Sequence, residues 1–378
     1  MGYGVENEFD SSSLKKKLFF MIKGNNLTNL RALGQKLKTI QRDAFRIKYE
    51  NLLSLLEVEV QISTITALAQ YYDPPLRCFT FQDFQLLPTI EEFEQILHLP
   101  MEGKIPYIYL EQHSSIPTLA KILKIHPKEL ESKLVERKNT RGFPQKFLEN
   151  YLYRLAGKEN WGTFMDVLAL TLYDIMLFPN LEGFVNYAAI NVFVAMKTRS
   201  ENPVTAILVD IYETLDLCYK MKQKVSCCLP ALYVWLTSRV SDKVINIKCP
   251  VKEVLQHGPE MKESKDWSQF LVGLTERKIK LQPSWQQRSL IIYHCGNYPN
   301  VPLIGNRGCI NYNPVLAQRQ FGYPIRGSPT LDALTTLLIS YEDGGATEVL
   351  RDIRNAWRNV IHMERDSRAW TVNREIPY

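Results

Sequence analysis

The sequence predicts a mainly α-helical fold, and three observations carry that prediction. Apolar residues recur at helical spacing through most of the chain, prolines and capping residues punctuate those runs, and period-two alternation is confined to two short stretches. Those stretches, near 79–81 and 289–293, are expected to be extended or β. Residues 1–26 form a weakly ordered basic tail, and 27–378 form one large domain. Two subdomains, 27–140 and 141–378, fit the change in pattern.

From Leu27, the positions Leu30, Leu33, Leu37 and Ile40 keep helical spacing and predict a helix whose basic residues project from one face. Helices over about 43–57 and 60–72 follow, the second despite its β-branched residues. Asp73-Pro74-Pro75 stops the run, because proline lacks an amide donor and forces the preceding residue towards extended dihedrals. Cys78–Phe81 alternates like a short strand. After Pro88, Thr89 is placed to cap a helix with Glu91 and Glu92 in its first turn and Ile90, Phe93, Ile96 and Leu97 on its inner stripe. Pro100 ends it.

Pro117 suits a helix start, and His126-Pro127 breaks that helix at a turn exposed to solvent. Between Pro144 and Phe178 the pattern is apolar around most of the helix circumference, which places the centre of the core there. Helices are expected at about 184–197 and 203–221, and from CCLPALYVWLTSRV at 227–240. Residues 241–266 read as a polar surface loop. A helix over about 330–340 and another over 346–363 close the chain, with Trp357 and Trp370 fastening the end.

The 378 residues carry a net charge of +6, with 45% hydrophobic and 23% charged residues, an ordinary globular composition. No apolar run approaches the ~18 residues that would suggest a membrane-spanning helix. The seven cysteines show no repeated CxxC spacing and read as small buried side chains in a reducing compartment; no metal site is expected. The charge is uneven: residues 1–189 hold 22 basic and 22 acidic side chains, whereas 190–378 hold 24 and 18. Nothing acidic occurs from Arg277 to Leu331. That window carries Arg277, Lys278, Lys280, Arg288, Arg307, Arg319 and Arg326, interleaved with Trp285, Tyr293, Tyr298, Tyr312, Phe321 and Tyr323. Basic groups neutralise phosphate and aromatic rings stack on bases, so these seven residues are the candidate nucleic-acid contacts. Structural use of the same residues is the competing reading. A second acid-free window, Ser11 to Arg42, is expected to be a solvated face, with contact to nucleic acid or an acidic partner as the second reading.

Catalytic readings find less. Gly305-Asn306-Arg307-Gly308 lacks the Lys-Ser/Thr of a phosphate loop and the glycine pattern of a dinucleotide site. His294-Cys295 suggests a thiol nucleophile, but neighbours on a strand point to opposite faces. Asp166, Asp174 and Asp210 would have to converge to act as a transposase-like acidic triad, and Asp210 and Asp216, six apart on a helix, are expected to be exposed. No catalytic, cofactor-binding or metal-binding residue is assigned.

The run RCFTFQDFQLLPTIEEFEQILHLP at 77–100 resembles the signature of the plant mobile domain family, in particular its retroelement-associated branch in legumes. Further matches follow in order: FPNLEGFVNYAAINVF at 178–193, PVTAILVDIYETL at 203–215, CCLPALYVWLTSRV at 227–240, YHCGNYPNVPLIGNRGCINYNPVLAQRQFGYP at 293–324 and AWRNVIHMERDSRAW at 356–370. The resemblance implies a nuclear protein of transposon ancestry, acting as a non-enzymatic interaction module on nucleic acid or chromatin-associated partners. Some members of that family carry an aminotransferase-like label. No lysine with an adjoining phosphate cup supports carrying that activity over, and no cofactor is expected. The alternative is an enzyme with an unrecognised site, either a thiol hydrolase around Cys295 or a degenerate transposase.

Overall fold

The computed structural model describes residues 21–364 apart from 23, 111–113, 222–223, 241–247, 260–263, 284, 286–289, 324–331, 333–334, 336 and 342–345. Most of the tail, Arg288, Arg326 and Trp370 therefore lie outside the described residues. The fold is mainly α, and the described residues add small sheets of two or three strands. In chain order, β1 (Met21–Ile22) precedes α1 (Thr28–Gln35), α2 (Thr39–Tyr49), α3 (Leu52–Leu56) and α4 (Ile62–Ala69). An antiparallel sheet of β2 (Tyr72–Asp73), β3 (Cys78–Thr80) and β4 (Gln85–Leu86) leads into α5 (Ile90–Leu97). Next come α6 (Ile116–Leu123), α7 (Pro127–Ser132), β5 (Val135–Arg137), β6 (Thr140–Pro144), α8 (Gln145–Gly157) and α9 (Trp161–Leu172), which runs on into a π-helical turn at Tyr173–Leu177. Strand β7 (Phe184–Asn186) pairs antiparallel with β6, and α10 (Tyr187–Arg199), α11 (Val204–Met221), β8 (Lys224–Val225), α12 (Leu229–Val240), α13 (Pro250–His257) and α14 (Ser264–Val272) follow. The last part holds β9 (Leu290–Cys295), β10 (Val301–Ile304), β11 (Gly308–Tyr312), α15 (Pro314–Gln320), β12 (Leu338–Ser340), α16 (Ala346–Ala356) and β13 (Val360–Glu364).

The main hydrophobic cluster extends from Leu27 to Ala356 and is centred on α9, α10, α11 and α12. From Thr163 to Leu172 every residue of α9 except Asp166 is buried, as the all-round apolar pattern requires. Helix α5 starts as expected. Thr89 and Glu92 form a capping box, the Glu92 amide donating to the Thr89 hydroxyl and the Thr89 amide to the Glu92 carboxylate at 3.1 Å. Because this cap is fully buried, Thr89→Ala is expected to lower unfolding stability by about 1–2 kcal/mol, read from the urea midpoint. A loss below about 0.3 kcal/mol would show the cap to be redundant with the other bonds to Glu92.

Several elements depart from expectation, each for a local reason. The first predicted helix breaks at Lys36–Lys38, and Ile40 is 82% exposed instead of continuing the stripe. Arginine side chains bind carbonyls left open at the break and at the end of α3. The Arg42 Nε donates to the Leu37 carbonyl at 3.0 Å, and Arg31 donates to the carbonyls of Leu56 and Val58 at 2.7 and 2.8 Å, satisfying chain ends that helices leave open. Two members of the N-terminal basic window are thus structural. The polar stretch expected as a loop at 241–266 contains α13 and the start of α14, whose Val251 and Trp267 are buried. Residues 338–340 are a strand, not the end of a helix, and the expected helix over 346–363 stops at Ala356 and becomes β13. The extended stretch at 289–293 finds its partner there: β9 and β13 pair antiparallel, with an irregularity between Ile361 and His362. Trp357 fastens this region through its indole N–H on the Pro302 carbonyl at 2.7 Å.

Candidate functional site

Two groups of buried charges organise the interior, and one of them opens onto a cleft. The first surrounds Glu92, which is fully buried. Its carboxylate pairs with the equally buried Arg239 guanidinium and accepts from Trp235 Nε1 at 2.8 Å and Gln320 Nε2 at 2.7 Å. Arg239 in turn donates to the carbonyls of Lys280 and Leu281 at 2.9 and 2.7 Å. Elsewhere on α5, Glu91 accepts the Ile292 amide at 2.8 Å, which ties the helix to β9. First-turn acids read from sequence as dipole partners thus act as connectors between α5, α12, α15 and the strands.

The second group lies under α11. Asp210 and Asp216, expected at the surface, are both buried. Asp216 accepts the Tyr72 hydroxyl at 2.7 Å and faces Arg77 at 3.7 Å. Asp210 is paired with Arg307, whose Nε also lies 3.6 Å from Glu213. The β10–β11 turn carries Arg307 to α11, and glycine permits the approach: a Cβ on Gly305 would stand 2.4 Å from a methyl of Val209. The π-helical turn brings Asp174 to the same place, where one of its oxygens accepts the Asn186 amide at 3.0 Å as well as the Asn186 side chain. Burial pushes the Asp210 carboxyl up to about 7 against the pull of Arg307, and burial raises Asp174 well above the usual carboxylate range, with Asp210 adding to the effect.

Above these groups is a cleft of about 690 Å³. Its walls come from the β5–β6 hairpin, the β7–α10 junction, α11, the β10–β11 turn and β12, with Arg141, Tyr187, Lys220, Asn306 and Tyr341 among the lining residues. Tyr109 stacks on Tyr341 with ring centroids 3.9 Å apart. The Arg141 guanidinium sits 6.0 Å from the centre of the Tyr187 ring. Neither Arg141, Asn186 nor the two stacked tyrosines stood out in the sequence, since each is an isolated polar or aromatic residue assembled only by the fold, and Asn306 entered only through the rejected phosphate-loop reading of 305–308.

The residues singled out from sequence separate into distinct places. Arg277 and Lys278 are exposed on a 3-10 turn after α14, Lys280 is half-buried beside them, and Arg319 is half-buried on α15. Gly322, at the end of α15, abuts the side chain of Gln282, so these four basic residues belong to neighbouring segments. Arg307 is elsewhere, engaged with Asp210 and Glu213. A stretch without acids in sequence therefore meets acids in space. Of the three aspartates considered for metal chemistry, Asp174 and Asp210 are close, but Asp166 binds Tyr49, Lys48 and Lys197 instead. Among the described residues no group of three or more His, Cys, Asp or Glu side chains is arranged to hold a metal ion. Cys295 faces the core on β9, where burial pushes its thiol up to about 12, while the His294 ring meets the Gly296 carbonyl at 3.0 Å. That geometry gives a thiolate nucleophile no support.

The fold and its cleft define a large, mainly α-helical domain with a buried ionic interior and a mixed-charge cleft. Residues 30–378 match the family described as a domain of unknown function (DUF7745), and the chain belongs to that family. No curated protein and no solved structure matches it. No helix among the described residues is long and apolar enough to cross a membrane.

Proposed function

We propose that this chain is a non-enzymatic interaction module of transposon ancestry that works in the nucleus and contacts nucleic acid, alone or in chromatin complexes, through the basic segments at 277–280 and 319. The resemblance of its ordered motifs to the plant mobile domain family supports the nuclear setting and the ancestry. The observation that carries the contact surface is the exposure of Arg277 and Lys278 on a single turn, with Lys280 and Arg319 on adjoining segments. Clustered cations release counterions from phosphate, so affinity should fall steeply with salt.

The test is DNA and RNA binding titrated against salt, comparing the full chain with an Arg277→Ala/Lys278→Ala/Arg319→Ala variant. Each lost phosphate contact should reduce the slope of log affinity against log salt by about 1, giving a reduction of roughly 2–3 in all. Lys121→Ala/Lys128→Ala, at exposed positions outside this region, should leave the slope unchanged. Equal affinity and slope for wild type and triple variant would sink the proposal.

A further inference from the structure

Positive charge also gathers on the β5–β6 hairpin, far along the chain from the segments at 277–280 and 319. From Lys133 to Arg141, the cations Lys133, Arg137, Lys138 and Arg141 stand against the single acid Glu136, and all five side chains are exposed. Four cations less one anion give this stretch a net charge of +3. Glu136 interrupts the run, so no acid-free window marks it in the sequence.

The backbone sorts these charges onto two sides. Side chains alternate across a strand, and the register pairs Arg137 with Thr140, Glu136 with Arg141 and Val135 with Gly142. Glu136 and Arg141 therefore share one side of the hairpin, and both line the cleft. Arg137 stands on the other side, and none of Lys133, Arg137 and Lys138 is among the residues lining the cleft. The acid faces the cleft, and three of the four cations do not.

Local structure holds these cations in place without neutralising them. Gly142, on the same side as Arg137, leaves room for the buried Phe184 ring, since a Cβ there would stand 2.9 Å from a ring carbon. The Arg137 guanidinium lies 5.6 Å from the centre of that ring, an arrangement that orders a cation without cancelling its charge. Lys138 and Asn139 have φ of 49° and 59°, as in a two-residue type I′ turn, so Lys138 sits at the hairpin tip. Glu131 precedes Lys133 by two residues, and side chains two apart on a helix do not face one another. Among the described residues, none of Lys133, Arg137 and Lys138 enters an ion pair.

We infer that this side of the hairpin is a second contact for the phosphate backbone of nucleic acid. Arg137 presents its fork of N–H groups to phosphate oxygens, and Lys133 and Lys138, before and after it in the chain, add point charges. The inference rests on the reading that the chain contacts nucleic acid, but not on the surface at 277–280 and 319. Backbone contacts carry no sequence information, so the hairpin should act alike on any sequence.

The test is a salt titration of binding to two DNA duplexes of unrelated sequence, using the full chain, Lys138→Gly and Lys133→Ala/Arg137→Ala/Lys138→Gly. Glycine suits the left-handed turn position, so Lys138→Gly removes the charge without opposing the fold, and its thermal midpoint should not fall below that of wild type. The slope of log affinity against log salt should shrink by about 1 in the single variant and by roughly 2–3 in the triple variant, equally on both duplexes. A wild-type slope in both hairpin variants would overturn the inference, whatever the variant at 277, 278 and 319 does. A loss in the hairpin variants with none in that other variant sustains the hairpin and removes the other surface. Wild type that binds neither duplex overturns both. So would displacement of DNA by poly-L-glutamate as readily as by unlabelled DNA overturn the inference, by assigning the hairpin to acidic polypeptides.

Discussion

Glu92→Ala is expected to destabilise the protein by about 3–5 kcal/mol, among the largest effects open to a single substitution outside the hydrophobic core. The physical reason is what remains behind. Arg239 would keep its charge at zero exposure with only two backbone carbonyls for hydrogen-bond partners, the Trp235 indole would lose its acceptor, and the Gln320 amide would keep only the Leu87 carbonyl. A buried ion pair contributes little compared with a well-packed apolar substitute, but half of one is costly. Arg239→Met should therefore be nearly as damaging as Glu92→Ala. The double variant Glu92→Ala/Arg239→Met should lose less than the sum of the two single changes by about 1–3 kcal/mol. Urea unfolding of the four proteins measures this coupling, and strictly additive losses would show that the two groups do not depend on one another.

The second large effect is a dependence of stability on pH carried by Asp210. Its carboxyl is raised to about 7 in the folded protein, against about 3.9 for an unfolded chain. Between those values the folded state holds a proton that the unfolded state has released. This contribution to stability is therefore present at the acid side and is lost as pH rises through about 7, the reverse of the usual salt-bridged aspartate. The slope is about 1.4 kcal/mol per pH unit across the window, or up to about 4 kcal/mol in all. Asp210→Asn has no such proton, so wild type should gain stability relative to this variant on going from pH 8 to pH 5. Asp174, raised in the same sense, is present in both proteins and largely cancels in the difference. Parallel stability curves for the two proteins over that range would contradict the assignment.

How far these features could be read in advance depends on the range of the interactions involved. The start of α5 was legible because Thr89 and Glu92 act within three residues of each other, and proline placement at 74–75 and 117 acts on the nearest bonds. The burial of α9 was legible because a helix apolar on every side has no other stable place. Pairing between β9 and β13 was not, since neither strand contains information about where its partner lies in the chain. Nor was the fate of Arg307. In a sequence window free of acids it looked available for phosphate, and only the close approach allowed by Gly305 delivers it to Asp210. The cleft was invisible for the same reason, being assembled from residues on seven separate segments between Tyr109 and Tyr341.

The carboxylate of Glu92 also imposes an order in time. Helix α5 leaves the ribosome long before its hydrogen-bond donors do: Trp235 lies 143 residues later and Gln320 228 residues later. At about 5–20 residues per second, synthesis alone separates Glu92 from Gln320 by roughly 10–50 seconds. During that interval a nascent chain that has already made its first five helices must keep a charged side chain in water on a surface destined for the interior. The N-terminal helices can gather early, but the face of α5 that carries Glu92 closes only when α15 arrives.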